Sequence, residues 1–270
     1  MESHAHQQSI VSQFTQQSRP FAEIEEHSAD RSFEVFRELG SFSGTERVLD
    51  SGCGPGLVSR YLAPLAAEVI GLDLTPAMVE LASKAALQAS LSNLSFLEGN
   101  MTELPFSTAQ FDRTVTRYTF HHLEDPEAAF REMIRVTRPN GKIIVVDVTP
   151  EESKRDAYDQ FERLRDPSHT SAFTFSELSN LGQIHGLSNP EIIRFGLEMN
   201  VEKLIQASFP ESISREQLIR LLIEDIGKDH LSFQIRKTVD SFIMTFPVTA
   251  AAWQMPSLAN LNLEINSIRN

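Results

Sequence analysis

One cysteine, Cys53, is all the chain has. That excludes a disulfide within the chain and any zinc or iron–sulfur site built from several thiolates, and it makes a reducing compartment the expected setting. Long apolar runs are also missing: nowhere do about 18 apolar residues follow one another. Residues 1–17 are largely polar, where a signal peptide would place a charged and then an apolar stretch. The chain is therefore expected in the cytoplasm, without membrane insertion. Positive charge is scarce, with 24 Lys and Arg against 37 Asp and Glu and a formal charge of −13. Such a balance repels nucleic-acid phosphates and acidic lipid surfaces. The nearest basic cluster, Lys154-Arg155, is broken by Glu151, Glu152 and Asp156 and reads as a solvated mixed face. No internal repeat is present, and apart from His4 and His6, which could take up adventitious metal, no His/Asp/Glu group has metal-ligand spacing, so no metal is expected. His4 and His6 lie in an N-terminal stretch polar enough to fray.

What is there is a βα alternation. Arg47 to Asp50 reads as a buried strand, a glycine turn follows, and Leu57 to Ala63 has helical spacing until Pro64. Glu68 to Asp73 is a second strand, and Thr75-Pro76 starts a helix reaching about Ala89, with threonine at N-cap and proline at N1. Strands follow at Leu94 to Leu97 and Arg113 to Arg117. A helix at Pro126 to Val136 and a strand at Lys142 to Val148 come next, the latter after a turn at Pro139-Asn140-Gly141. Regular alternation of this kind predicts a doubly wound parallel sheet with right-handed crossovers. Beyond Thr149 the pattern loosens. Helices are expected at Ser153 to Leu164, Ser176 to His185 and Arg215 to Ile226, and strands at Glu191 to Phe195 and Ser241 to Phe246.

The glycine turn carries the chemistry. Asp50-Ser51-Gly52-Cys53-Gly54-Pro55-Gly56 lies between a strand and a helix, where backbone can approach a ligand closely. A dinucleotide fingerprint needs Gly-x-Gly-x-x-Gly, yet Leu57 or Ser59 occupies the third glycine position in the two available registers. A phosphate-binding P-loop needs Gly-Lys-Ser/Thr, and Gly56 is followed by Leu57-Val58. Asp50 would repel phosphate and attract a cation. Asp73 lies 23 positions further on, near the roughly 20-residue offset at which an acid accepts from ribose hydroxyls. The ligand expected is an adenosine-like ribose joined to a positively charged group.

These motifs together resemble those of the class I S-adenosylmethionine-dependent methyltransferases, over residues from about Val11 to the last strand. Val48 to Gly56 resembles the family's first motif and Gly71 to Met78 its second. Leu97-Glu98-Gly99-Asn100-Met101-Thr102-Glu103-Leu104-Pro105-Phe106 resembles the adenine-flanking motif. Phe111-Asp112 opens the fourth strand, and Arg138-Pro139-Asn140-Gly141-Lys142 precedes the fifth. Phe120-His121-His122-Leu123 and Leu164-Arg165-Asp166-Pro167-Ser168-His169 resemble the ubiquinone/menaquinone-biosynthesis type and its small-molecule relatives. Two departures stand out. Asn100 replaces the usual aspartate, with an amide oxygen still able to accept from an adenine amine. Asn140 replaces the usual glycine, a residue that also visits left-handed backbone.

The resemblance implies a Rossmann-like, doubly wound α/β sheet of seven strands, mostly parallel with an antiparallel last strand, plus helical lid segments. It implies a single domain over 1–270, with lid helices in 1–40, the cofactor-binding half in 46–150, lid insertions and closing strands in 151–254, and a flexible tail in 255–270. The implied cofactor is S-adenosyl-L-methionine, leaving as S-adenosyl-L-homocysteine. Asp50 and Gly52 would face its methionine part, Asp73 the ribose, Leu74 and Met78 the adenine face, and Asn100 with Met101 the adenine edge. Gly54 and Gly56 would shape the loop, and Arg117 would lie beside the methionyl tail.

The sulfonium is already an activated electrophile, so side chains need mainly to orient a nucleophile. His122, Tyr118 and His169 are the catalytic candidates, with His121 beside them; His122 stands first because it follows the fourth strand at the sheet's ligand-binding end. Blander roles compete: packing for His121-His122, and pinning of a lid for His169. Cys53 is assigned no chemistry, Phe14 and Phe21 either close over the cofactor or pack the lid, and Phe173, Phe175 and Trp253 are assigned to the core. The expected reaction is methylation of a carbon, oxygen or nitrogen nucleophile on a small molecule, quinone-like or another secondary metabolite. A nucleic-acid or protein-amide enzyme would carry Asp/Asn-Pro-Pro-aromatic after the fourth strand, where this chain has Arg117-Tyr118-Thr119-Phe120. A protein that binds the cofactor without methylating stays open as the alternative, as does oligomeric state, homodimer included.

Overall fold

A buried run such as Ile143 to Val146, with no exposed side chain, calls for cover on both faces, and the chain supplies it with helices. The computed structural model describes residues 2–22 and 31–257, with side chains for 5–17 and 31–257. Its strands are β1 (Arg47–Ser51), β2 (Glu68–Asp73), β3 (Leu94–Glu98), β4 (Phe111–Arg117), β5 (Thr137–Val148), β6 (Glu191–Asn200), β7 (Arg236–Lys237) and β8 (Phe242–Gln254). The order across the sheet is β3-β2-β1-β4-β5-β8-β6, with β7 paired to β8. β1 to β5 pair in parallel, and β8 enters antiparallel between β5 and β6. Strand order reverses between β1 and β4, the point where an open α/β sheet leaves a crevice at its carboxyl ends. Asp50 pairs with Gly71 on one side and Val115 on the other, so the tips of β1, β2 and β4 gather around it.

The helices are α1 (Glu2–Ala22), α2 (Ser32–Gly40), α3 (Leu57–Leu62), α4 (Pro76–Gln88), α5 (Pro126–Val136), α6 (Arg155–Arg165), α7 (Phe175–Asn180), α8 (Val201–Gln206) and α9 (Arg215–Glu224). α5 illustrates why they form. The Asp125 carboxylate accepts from Ala128 N at 2.8 Å, Pro126 occupies the first turn, and Ala129, Phe130, Met133 and Val136 bury one stripe against the sheet. α7 and α9 each begin with a capping box, Thr174 with Glu177 and Ser214 with Gln217. Phe36, Val48, Ile144 and Phe233 belong to the core on one side of the sheet, and Leu49, Phe111, Phe130 and Trp253 to that on the other. No described helix is long and apolar enough to cross a membrane.

Several boundaries differ from the sequence-based expectation. The last strand, expected at 241–246, runs to Gln254 because Ala250, Ala251 and Ala252 are buried between β5 and β6; small residues carry little strand signal by themselves. The two-residue β7 adds an eighth strand to the expected seven. β5 begins at Thr137, so the expected turn at 139–141 is a kink within a strand, with Asn140 left-handed at φ 60°. The helix expected over 176–185 stops at Asn180, where Gly182 lies against the Trp253 indole and a short 3-10 turn (Gln183–His185) follows. α8 was not expected at all. The threonine expected at N-cap stands there before Pro76, but its hydroxyl makes no capping bond. Phe175 is not core: it is 38% exposed, with the Arg194 guanidinium 4.7 Å from its ring centre. Trp253 is fully buried and Phe173 packs on the same cluster. The Phe21 and His4 side chains and residues 258–270 of the expected tail lie outside the described residues.

Candidate functional site

The loop after β1 is built by backbone hydrogen bonds to β2. Gly52 N–H and Cys53 N–H both donate to the Leu72 carbonyl, at 2.8 and 3.0 Å. Gly52 has φ +74°, and a Cβ there would come within 2.6 Å of the Thr119 side chain, so the turn and its closeness to the segment after β4 both require glycine. Gly54 N–H donates to Asp73 Oδ2 at 2.8 Å and Thr75 N–H to Asp73 Oδ1 at 2.9 Å. One carboxylate thus ties the glycine loop to the start of α4. A Cβ at Gly54 would meet nothing within 4 Å, because the loop fronts open space there.

Two buried acids define the electrostatics. Asp50 is 1% exposed and accepts from Ser59 Oγ at 2.5 Å. Burial pushes its carboxyl up to about 6; Ser59 and Arg117 work against that, and the neighbouring charge of Asp73 adds to it. Asp73 is also raised by burial, against the two backbone N–H groups it accepts from. Carboxylates held above their ordinary range by burial, with Asp73 adding to the rise at Asp50, are relieved by a cation, so the loop favours a positively charged ligand. Cys53 sits between them as an inert thiol, pushed up by burial and then by both acids.

Leu72, Asp73, Leu74, Met78, Gly99, Asn100 and Met101 continue the wall on the β2–β3 side. Asn100 Oδ1 accepts from Thr102 N at 3.0 Å and Thr102 Oγ at 2.9 Å, which uses both lone pairs. The amide oxygen is therefore engaged within its own turn, and the atom left for a ligand is the NH2 group. On the β4 side, the Arg117 guanidinium lies 4.7 Å from the Phe33 ring centre and 5.1 Å from that of Tyr118, and Nη1 donates to Ser32 Oγ at 3.1 Å. α2 thereby fixes Arg117. Tyr118 takes a left-handed φ of 54°, a costly conformation for an aromatic residue and one found at functional turns.

Beyond Tyr118 lies a histidine group. His121 Nδ1 donates to Asp147 Oδ1 at 2.6 Å; Asp147 also accepts from Phe120 N at 2.8 Å and Val148 N at 2.7 Å. Burial acts against charging His121, but the adjacent Asp147 carboxylate outweighs it and holds His121 above its ordinary value. His122 goes the other way, well below its ordinary value, through burial and then the charge of His121. Its Nδ1 meets Ser168 Oγ at 3.0 Å, and that hydroxyl donates to Asp166 Oδ1 at 2.6 Å. α1 covers this end: the Phe14 ring packs edge-on to His122 at 4.9 Å, His6 Nε2 bonds the His122 carbonyl at 2.8 Å, and Gln17 donates to Asp166 Oδ2 at 3.0 Å.

These segments surround one cavity, with about 1380 Å³ of non-atom space that includes open solvent at its mouth. Asp50, Gly52, Gly54, Asp73, Leu74, Met78, Asn100, Met101, Arg117, Tyr118 and His122 line it. Gly56 stands behind the wall, at the start of α3. His169 is also absent from the wall. Its Nε2 donates to Asp159 Oδ1 at 2.7 Å, and Asp159 further accepts from Ser171 Oγ and Ala172 N, which pins 169–172 to α6.

Sequence reasoning missed much of the second half of the site: Tyr158, Glu162, Gln17 and the apolar side chains of β6, α8 and β8 on the cavity wall, and Asp147 behind His121. One signal was available. Asp147 is a lone acid in the otherwise apolar run Ile143 to Val148, and a charge inside such a strand needs a partner.

Comparison with known proteins places these features in context. The family described as "Methyltransferase domain" matches residues 49–145. An uncharacterized methyltransferase, YcgJ of Bacillus subtilis, is 32% identical over 194 residues, covering 71% of this chain and 74% of that one. The crystal structure of YcgJ superimposes with a TM-score of 0.76 at 26% identity, over 84% of this chain and 98% of the other. A demethylmenaquinone methyltransferase of Renibacterium salmoninarum is 30% identical over 113 residues, 42% of this chain and 45% of that protein.

Proposed function

The chain belongs to the S-adenosylmethionine-dependent methyltransferases, and from that premise we propose that its acceptor is a small molecule bound inside the cavity beside the cofactor. The observation that carries this reading is the continuity of the cavity, from the Asp50–Asp73 loop to the histidine end under α1. α1 and α2 act as the lid, and the formal charge of −13 disfavours a nucleic-acid substrate. Within the site, Asp50 and Gly52 take the methionine ammonium, Asp73 the ribose, Leu74 and Met78 the adenine face, Asn100 and Met101 its edge, while Arg117 flanks the methionyl tail. When bound, the cofactor supplies an activated methyl group; the chain's own residues orient the acceptor and exclude water. His122 and Tyr118 lie on the acceptor side, and His169 acts as a pin for the segment behind it.

The partial likeness to a demethylmenaquinone methyltransferase supports a planar, quinone-like acceptor. A reducing cytoplasm is the setting that fits a lone buried thiol. The test is calorimetric titration of S-adenosylmethionine and S-adenosylhomocysteine into the wild type and Asp73→Ala, followed by a search for demethylated product with hydroxylated, amino and thiol acceptors. The variant is expected to bind at least about 100-fold more weakly, since it loses the ribose acceptor and also releases the Gly54 and Thr75 N–H groups. Unchanged affinity would remove Asp73 from the site.

A further inference from the structure

We propose that His121 takes a proton from the acceptor, positioned for this by Asp147, and that the acceptor's nucleophile is accordingly a phenolic or enolic hydroxyl. This rests on the methyltransferase reading above and adds the substrate class. The geometry is that of a base held by an orienting carboxylate. Asp147, fixed by two backbone N–H groups, accepts from Nδ1, which fixes the tautomer and leaves the Nε2 lone pair free. Nε2 has no partner among the described residues and is not sealed off, and His121 lies on the cavity wall. The dyad spans the ends of β4 and β5, whose Thr116↔Val145 and Arg117↔Val146 pairing sets the two segments side by side. His122 is the poorer base: burial and the charge of His121 depress it, Phe14 packs on its ring, and its Nδ1 is committed to Ser168.

The need for a base selects the nucleophile. A neutral amine attacks with its own lone pair and can lose its proton afterwards. A thiol ionises near pH 8.5 without much help, whereas a phenol resembles tyrosine, at about 10, and must be deprotonated as it reacts. In the step, the hydroxyl proton moves to His121 Nε2, and the freed pair on oxygen, or on the carbon conjugated with it, bonds to the methyl carbon. The electrons of the carbon–sulfur bond remain on sulfur. The imidazolium returns its proton to water once product leaves. The rest of this half of the cavity, with Phe14, Leu197, Met199, Leu204 and Phe246, suits an apolar body carrying that hydroxyl.

The groups facing His121 are Asp147 on β5, His122 in the same turn, Glu162 on α6, and Asp166 and His169 beyond it, with His6 of α1 on the adjacent carbonyl. The experiment offers naphthol, naphthylamine and naphthalenethiol, three nucleophiles on one skeleton, to the full chain with S-adenosylmethionine, and records 15N spectra of its histidines with S-adenosylhomocysteine bound. Naphthol is expected to be methylated, with a rate rising through the His121 ionisation. His121→Gln should lose at least about 100-fold in kcat while S-adenosylhomocysteine affinity stays within about twofold, since none of the proposed cofactor contacts involves His121. The spectra should show the Nδ1–H tautomer, titrating above an ordinary histidine. Asp147→Asn should move both that titration and the acid limb of the rate to lower pH. Methylation confined to the amine or thiol, no methylation of any probe, an unchanged rate in His121→Gln, or an Nε2–H tautomer in the wild type would each overturn the proposal; the spectra and His121→Gln decide it even if Asp147→Asn does not fold. Failure to bind S-adenosylhomocysteine at all would instead refute the cofactor assignment.

Discussion

Replacing Asp50 by asparagine should make the ligand-free protein more stable and the cofactor weaker at the same time. The carboxyl is fully buried, and its rise from 3.8 to about 6 corresponds to ~3 kcal/mol of destabilisation at neutral pH. The sign follows from the direction: an acid raised on folding contributes stability below its unfolded value, and that contribution is lost as pH climbs from about 4 to about 6. The amide in Asp50→Asn would keep an acceptor for the Ser59 hydroxyl, which now donates to Oδ2 at 2.5 Å, and would carry no charge. A gain of about 1–3 kcal/mol is expected, or roughly 2–4 °C of Tm per kcal/mol for a chain of this size. Losing a charge-assisted bond to the ligand's ammonium costs about 1.5–3 kcal/mol, so affinity should fall by a factor of roughly 10 to 150. S-adenosylmethionine and S-adenosylhomocysteine should suffer alike, because they share the ammonium. Wild-type affinity should itself drop about tenfold between pH 7 and pH 5, as the carboxyl protonates near 6; the variant should be nearly flat over that range. Calorimetry at several pH values and urea unfolding of the free protein provide the readings. A less stable free variant, or one that binds with the wild-type affinity and slope, would refute the electrostatic account of the loop.

Asn100→Asp should tighten S-adenosylhomocysteine binding by about tenfold, because one oxygen can keep the Thr102 contacts while the second accepts from the adenine amine, where Asn100 now presents NH2; equal or weaker binding in calorimetry would show that the adenine edge lies elsewhere. Asp159→Ala strips the acceptor from His169, Ser171 and Ala172 and should cost about 3–5 kcal/mol in urea unfolding. Because Asp159 is not on the cavity wall, S-adenosylhomocysteine affinity should stay within about twofold. A loss below about 1 kcal/mol would mean that the pin is ornamental.

The first half of the chain was legible in the sequence for a local reason. Asp50, the three glycines and Asp73 lie within one strand–turn–helix–strand unit, and the backbone constraints that make the turn are the same ones that select glycine. Strand and helix periods in Glu68–Asp73, Pro126–Val136 and their neighbours agree with propensity and with burial, so pattern and packing point to one answer. Where they part, the reading strayed: Ala250 to Ala252 form strand because two neighbours bury them, and Phe175 surfaces despite being aromatic because its short helix turns it outward beneath Arg194.

The histidine end of the cavity was decided by tertiary structure alone. His121 and Asp147 are separated by 26 positions and Gln17 and Asp166 by 149, and no local rule couples residues so far apart. Which of two adjacent histidines gains a carboxylate, and which is buried under Phe14, depends on how the turn after β4 lands beside the end of β5 and beneath α1. Local sequence determined the strand tips and the glycine bend, because backbone geometry acts over a few residues. Proton affinity and cavity shape arise from charges and surfaces brought together only when the sheet closes, and those the fold had to supply.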